Sequence, residues 1–313
     1  MTEHVTLREV GMRDGLQNIA QFMPTDRKQA WCAAEVAAGM REIEVASLVP
    51  PKLILQFGDA ELVIAHALRQ PGLKVNALIP NLKGAERGVA LGVHQLNYVL
   101  SVSEGHNRAN VRRTTQESID DFKRIAALRD AQPKERRPAL GCGLATSFGC
   151  TIEGKVDEKR VMHVAEEILK AGVDELMVAD TVGYGDPGQV KRIFTQVLRL
   201  AGKTPVAAHF HNTRGLGLAN VLAAVEVGVR RFDACLGGMG GCPYAPGATG
   251  NVVMEDTVFM LQQMGFDTGV DLAALLEVRK QVEADLPGVA FHGDVARAGL
   301  PKTWRGNLAA AAE

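Results

Sequence analysis

Eight times along the chain a short apolar run gives way to a longer amphipathic segment, and this alternation constrains the fold more than any other feature. Parallel strands joined by helical crossovers produce such a rhythm: a strand covered on both faces reads as a near-continuous apolar run, and its crossover helix shows one apolar stripe. The runs that predict strands are Val5–Val10, Glu42–Ala46, Lys74–Ile79, Gln95–Val99, Ala139–Ala145, Glu175–Ala179, Val206–His211 and Arg231–Leu236. Helical spacing falls on Thr25–Ala38, Asp59–Leu68, Leu82–Leu91, Gln116–Ala131, Asp157–Ala171, Gly188–Ala201, Leu216–Val227 and Val252–Met264. Gly39, Gly92, Gly172 and Gly228 follow the helical stretches, where a left-handed residue closes a helix. Eight such units predict an α/β chain closed into a (β/α)8 barrel, and a further helix at Asp271–Ala284 predicts a small C-terminal helical addition.

A chain of 313 residues with 46% hydrophobic content is long enough for one barrel with modest extensions. A single catalytic domain over residues 1–302 is therefore expected, with a disordered tail over 303–313. The formal net charge of −1 offers no general attraction to nucleic acid or to an anionic membrane, so neither is expected as a partner. Five cysteines show no metal-knuckle spacing, no apolar run is long enough to span a bilayer, and the first residues lack the basic character of a transit peptide. A cytoplasmic protein in a reducing compartment is the expectation.

In a barrel of this kind the chemistry sits where strands end and βα loops begin. Arg13 and Asp14 follow the first predicted strand, Glu44 lies late in the second, Asp180 follows the sixth, and His209 and His211 end the seventh. The run Gly237–Asn251, glycine- and proline-rich and carrying Cys242, follows the eighth. Alternate strand residues share a face, so the two histidines point the same way and can grip one cation; the plainer alternative leaves one of them a hydrogen-bonded interior residue. Asp14 supplies a carboxylate and Asn251 an amide oxygen. Two nitrogens and two oxygens with open positions suit Mg2+ or Mn2+ better than a closed tetrahedral zinc site.

Arg13 beside a metal ligand calls for an intervening anion, and a substrate oxyanion is one. The alternative is an ion pair to Glu44 or Asp180 that stiffens the barrel mouth; those two acids themselves read as supports for Arg13 and the histidines. Cys242, with glycines on both sides, reads as a catalytic or redox-sensitive thiol rather than a small buried residue. Cys32, Cys142 and Cys235 read as core, and Cys150 has no assignment. Gly215 and Gly217 lack the rest of a dinucleotide fingerprint, and Arg108, Arg112 and Arg113 read as a solvated basic loop, with phosphate contact as the alternative.

Several of these residues lie in longer motifs: VGMRDGLQN (Val10–Asn18), IEVAS (Ile43–Ser47), PNLKG (Pro80–Gly84), Gly149-Cys150 followed by EGK, ADTVG (Ala179–Gly183), HFH (His209–His211) and GGCPYAPGATGN (Gly240–Asn251). Through them the chain resembles the 3-hydroxy-3-methylglutaryl-CoA (HMG-CoA) lyase family from about Val5 to Lys302. The resemblance implies a TIM barrel, usually a homodimer, that splits (S)-HMG-CoA into acetyl-CoA and acetoacetate, a retro-Claisen cleavage of leucine degradation and ketone-body formation, with Mg2+ or Mn2+. It implies Asp14, His209, His211 and Asn251 as metal ligands, Arg13 as the group that binds substrate and stabilises the enolate, and Cys242 as the catalytic loop thiol. Glu44, Asp180 and Glu255 become supporting polar residues, with Glu44 counted in the catalytic set, and the acyl-CoA thioester becomes the substrate. The chain departs from the family at Met12, Thr151-Ile152 and Asn212, and SEGHNRANVRR resembles a bacterial subgroup.

Cleavage of this kind needs the tertiary hydroxyl to lose its proton and the thioester to accept the departing electron pair. His209 or a metal-bound water is the expected proton acceptor. Rival expectations are a lyase for citramalyl-CoA or a longer branched glutaryl-CoA, a condensing enzyme of the isopropylmalate or homocitrate synthase type, and a barrel without catalysis.

Overall fold

The computed structural model of the chain describes residues 2–240 and 250–304, so Cys242 and residues 305–313 of the expected tail lie outside the described residues. Strands β1 (Thr6–Glu9), β2 (Glu42–Ser47), β3 (Lys74–Ile79), β4 (Gln95–Ser101), β5 (Ala139–Ala145), β6 (Glu175–Asp180), β7 (Val206–Phe210) and β8 (Arg231–Ala234) close a barrel in chain order. Each pairs in parallel with the next, and β8 returns to β1 with Thr6 opposite Arg231 and Glu9 opposite Ala234.

The helices are α1 (Thr25–Ala37), α2 (Ala60–Ala67), α3 (Leu82–Leu91), α4 (Glu104–Val111), α5 (Thr115–Asp130), α6 (Glu158–Lys170), α7 (Pro187–Ala201), α8 (Gly217–Glu226), α9 (Met254–Gln263), α10 (Leu272–Asp285) and α11 (Asp294–Ala298). Their apolar stripes coat the barrel. On α7, Val190, Ile193, Phe194 and Val197 recur at helical spacing and are fully buried. Phe194 meets Phe210 of β7 edge-on, with ring centres 6.0 Å apart. The glycines expected at the helix exits, Gly39, Gly92, Gly172 and Gly228, all have positive φ. Among the described residues no helix is long and apolar enough to cross a membrane.

Three local features differ from expectation. The basic segment read as a solvated loop forms α4, capped by Ser103, whose Oγ accepts the His106 amide; Arg108 pairs with Glu104 at 2.9 Å and Arg113 with Asp121 at 2.5 Å. Few apolar residues mark that helix, so periodicity could not find it. The seventh strand ends at Phe210, because His211 leaves the ladder to bridge Asn251, and the eighth ends at Ala234, because Cys235 bridges Val253. The helical addition holds a second short helix, α11, whose start is fixed by the Asp256 carboxylate accepting the amides of Asp294 and Val295 at 2.9 and 2.8 Å.

The barrel interior is not the layered aliphatic core common to this architecture. Arg8, Glu42, Glu44, Gln95, Asn97, Glu175, Arg231 and Asp233 fill it, all but Arg231 almost wholly buried. The apolar core lies instead between the barrel and its helices.

Candidate metal centre at the barrel mouth

Immediately after β1 the chain tightens into one π-helical turn, Gly11–Gly15, in which the amides of Arg13, Asp14 and Gly15 converge on the Val10 carbonyl at 3.1, 2.6 and 3.3 Å. Gly11 makes this turn possible. A Cβ there would lie 2.6 Å from Glu9 Oε1 and 3.0 Å from the Trp31 ring. The turn delivers two consecutive charged side chains, Arg13 and Asp14, to the mouth, each only 9% exposed.

Arg13 is held on both sides. Its Nε donates to Glu44 Oε2, and its Nη1 donates to Asp14 Oδ1 at 2.5 Å. Glu44 is fixed in turn by Asn97, whose Nδ2 donates to Oε1 at 2.8 Å. Asp14 Oδ2 accepts from Asn251 Nδ2 at 2.6 Å and lies 3.9 Å from His211 Nε2. His211 Nε2 lies 3.1 Å from His209 Nε2, and His209 Nδ1 lies 3.1 Å from Asp233 Oδ2.

Ligand atoms of Asp14, His209 and His211 all fall within 4.8 Å of one another, and all three residues are buried. Among the described residues Asn251 Oδ1 is buried with no hydrogen-bond partner, an oxygen that a cation would satisfy. Adjacent ligands about 2.1 Å from an octahedral cation stand about 3.0 Å apart, close to the observed separation of the two imidazole nitrogens. The donor set fits a divalent cation.

Electrostatics favour the same reading. Burial alone would raise the Asp14 carboxyl, but Arg13, the two imidazoles and the Asn251 hydrogen bond outweigh it and hold it at about 2, so it is a carboxylate at neutral pH. Burial, helped by the neighbouring His209 and Arg13, outweighs the Asp14 carboxylate and pushes His211 down to about 4, which leaves it a neutral imidazole able to ligate. Burial opposes charge on Arg13 too, but Glu44 and Asp14 raise it above its ordinary value.

Of the residues expected at one site, the fold brings together Arg13, Asp14, Glu44, His209, His211 and Asn251. Asp180 has a different place from the one expected. Rather than hold Arg13 or a histidine, its carboxylate accepts the amides of Tyr184 and Gly185, both at 2.9 Å, and shapes the turn after β6; burial pushes it up to about 6. Glu255 accepts the Gly237 amide at 2.9 Å and Arg279 Nη1 at 2.9 Å, which pins the root of the glycine-rich segment. Cys32, Cys142 and Cys235 are core as expected, and Cys150 is buried with its Sγ 3.0 Å from Ser103 Oγ.

Sequence reasoning missed Asn97, Asp233 and Arg8. Polar residues two apart in Glu42/Glu44, Gln95/Asn97 and Arg231/Asp233 mark one face of each strand as polar, but not that the face turns inward. A cavity of about 470 Å³ lies beside the centre, lined by Ile19, Gln21, Met239, Gly240, Val289 and His292 among others. Gly240 separates it from the site, since a Cβ there would lie 2.6 Å from Asn251 Nδ2 and 3.1 Å from Asp14 Oδ2.

A parallel barrel with an acid and two imidazoles gathered at its strand ends defines a TIM-barrel enzyme with a candidate divalent-metal centre. Within that class the chain belongs to the HMGL-like family, which matches residues 4–282. It is 38% identical over 279 residues to the hydroxymethylglutaryl-CoA lyase of Bacillus subtilis (strain 168), covering 89% of this chain and 92% of that protein. It is also 38% identical over 297 residues to the (R)-citramalyl-CoA lyase of Chloroflexus aurantiacus, covering 91% and 92%. The solved HMG-CoA lyase of Acinetobacter baumannii, in complex with coenzyme A and 3-methylmalate, superimposes with a TM-score of 0.90 at 42% identity, over 96% of this chain and 97% of that one.

Proposed function

We propose that this chain is a divalent-metal-dependent carbon–carbon lyase that cleaves (S)-HMG-CoA to acetyl-CoA and acetoacetate. The observation that carries the reading is the adjacency of a permanently charged guanidinium, Arg13, to the Asp14–His209–His211 cluster at the mouth of a barrel similar to HMG-CoA lyases along nearly its whole length. In the reaction the tertiary hydroxyl gives up its proton, the bond between the carbinol carbon and the carbon next to the thioester breaks, and its electron pair moves into the thioester as an enolate. Protonation of the enolate carbon gives acetyl-CoA, and the other fragment leaves as the ketone acetoacetate.

Asp14, His209, His211 and Asn251 would hold Mg2+ or Mn2+, which when bound supplies Lewis-acid polarisation of the substrate hydroxyl. Arg13 meets the thioester oxygen where negative charge develops, and the pairing with Glu44 keeps it oriented before substrate arrives. His209 has one nitrogen committed to Asp233, so Nε2 alone faces the mouth; this favours its role as ligand over its role as base. The cavity of about 470 Å³ beside Gly240 gives room for the arm of an acyl-CoA thioester. Cys242, the catalytic loop thiol by the family resemblance, would finish the cycle by exchanging a proton at the enolate carbon or by excluding water.

A thioester panel tests the assignment. Purified protein with Mn2+ is given (S)-HMG-CoA, (R)-citramalyl-CoA and a longer branched 3-hydroxyglutaryl-CoA, and acetyl-CoA release is followed. HMG-CoA is expected to have the highest kcat/KM. The Chloroflexus aurantiacus relative, equal in identity to the Bacillus subtilis lyase, supports the second reading, in which citramalyl-CoA is preferred.

A further inference from the structure

His209 is held from behind by a charged column that runs through the barrel. Asp233 Oδ2 lies 3.1 Å from its Nδ1, while Asp233 Oδ1 accepts Arg8 Nε at 2.8 Å. Arg8 Nη1 donates to Glu175 Oε1 at 2.6 Å, Glu175 Oε2 accepts Arg231 Nε at 2.7 Å, and Arg231 Nη2 reaches Glu42 Oε2 at 2.7 Å. Arg8 and Asp233 are each 3% exposed. Closing a barrel does not require such a column, since aliphatic layers do it, and buried ion pairs add little net stability over apolar packing. The column ends on one nitrogen of one imidazole, and that is where its role lies.

We propose that Asp233 is a positioning residue, locked by Arg8, that fixes His209 as the tautomer with hydrogen on Nδ1 and a bare Nε2 aimed at the mouth. The inference rests on the lyase reading above for its purpose, not for its geometry. A carboxylate only accepts hydrogen bonds, so the nitrogen facing it carries the hydrogen and the other is left as acceptor or ligand. Arg8 only donates, and its hold on Oδ1 keeps Oδ2 turned to His209. Among the described residues His211 has no such backing: its Nδ1 is buried with no hydrogen-bond partner. One imidazole is therefore preset, and the other adapts. Without a cation, His211 Nε2–H donates to the bare Nε2 of His209 across 3.1 Å.

Asp233→Asn separates this role from simple packing. Arg8 keeps the amide oxygen, the NH2 turns to His209 Nδ1, and His209 has to move its hydrogen to Nε2, where it can no longer ligate. Imidazole 15N spectra of the metal-free protein report the tautomer directly, and Mn2+ titration followed by electron paramagnetic resonance reports affinity. The wild type is expected to carry hydrogen on Nδ1 of His209. Asp233→Asn is expected to carry it on Nε2 and to lose about 10- to 100-fold in Mn2+ affinity. Glu42→Gln, at the far end of the column, is expected to lower the melting temperature while leaving tautomer and Mn2+ affinity unchanged. Hydrogen on Nε2 in the wild type overturns the proposal, whether or not the variant folds; so does an unchanged tautomer in Asp233→Asn, or an equal affinity loss in Glu42→Gln. Failure of the lyase reading shows elsewhere, as a wild type that binds no Mn2+ while the tautomer still follows Asp233.

Discussion

Nε2 of His209 and Nε2 of His211 face one another across 3.1 Å, from side chains two residues apart on the same side of the chain. Two nitrogen lone pairs do not sit at that distance unless a proton or a cation lies between them, and the Asp14 carboxylate beside them carries the charge that attracts a cation.

Removing that carboxylate has the plainest consequence. Asp14→Ala is expected to lower Mn2+ affinity by more than the roughly 10- to 100-fold typical of a residue that only orients a ligand, and to abolish turnover. Calorimetry that finds wild-type affinity in Asp14→Ala excludes Asp14 as a ligand.

Arg13→Gln separates charge stabilisation from binding. One oxyanion donor is worth about 10²–10³ in kcat, and a full charge in a buried site more, so a loss of about three orders of magnitude or greater is expected with little change in KM. Near-normal turnover in this variant removes the enolate role.

Glu44→Gln leaves the metal ligands in place but loosens Arg13. Misplacement of a catalytic group by about 1 Å costs on the order of 10²-fold, which is the expected fall in kcat, with Mn2+ affinity unchanged. A parallel loss of metal affinity would mean that Glu44 serves the cation rather than the guanidinium.

Glu175 links the column to acid stability. Burial alone raises its carboxyl, but Arg8 and Arg231 outweigh burial and hold it at about 2, against an ordinary 4.5. A depressed folded-state value stabilises the fold above pH 4.5, and the contribution, roughly 3 kcal/mol, is lost as pH falls toward about 2. Denaturant unfolding between pH 7 and pH 2 is expected to show this decline in the wild type. In Glu175→Gln the stability at pH 7 is lower and the decline smaller; an identical pH dependence in both proteins contradicts the assignment.

The barrel was legible because backbone burial imposes one repeating pattern, and β3 and β5 begin and end at the residues their apolar runs predict. The site was legible where chemistry interrupts that pattern, at Arg13-Asp14 and His209-x-His211. Asp233 and Arg8 were not, since a charge inside a strand reads as a solvent-facing position until closure of the sheet turns that face inward. Spacing puts Asp180 at the mouth but does not give its partners, because no spacing rule separates a carboxylate that grips a side chain from one that grips the amides of its own loop. The helix at Glu104–Val111 was hidden for a simpler reason: only His106 and Asn107 of it are buried, so no apolar stripe marks it.

If the cluster of Asp14, His209, His211 and Asn251 holds the cation on which carbon–carbon cleavage depends, turnover must follow occupancy of that cluster. The direct measurement strips the protein with a chelator, titrates Mn2+ back, and follows acetyl-CoA and acetoacetate from (S)-HMG-CoA together. No turnover is expected in the stripped protein, and full recovery, in equal yields of both products, at one cation per chain. Turnover in the stripped protein at the loaded rate, or a fully loaded protein that releases neither product, contradicts that dependence.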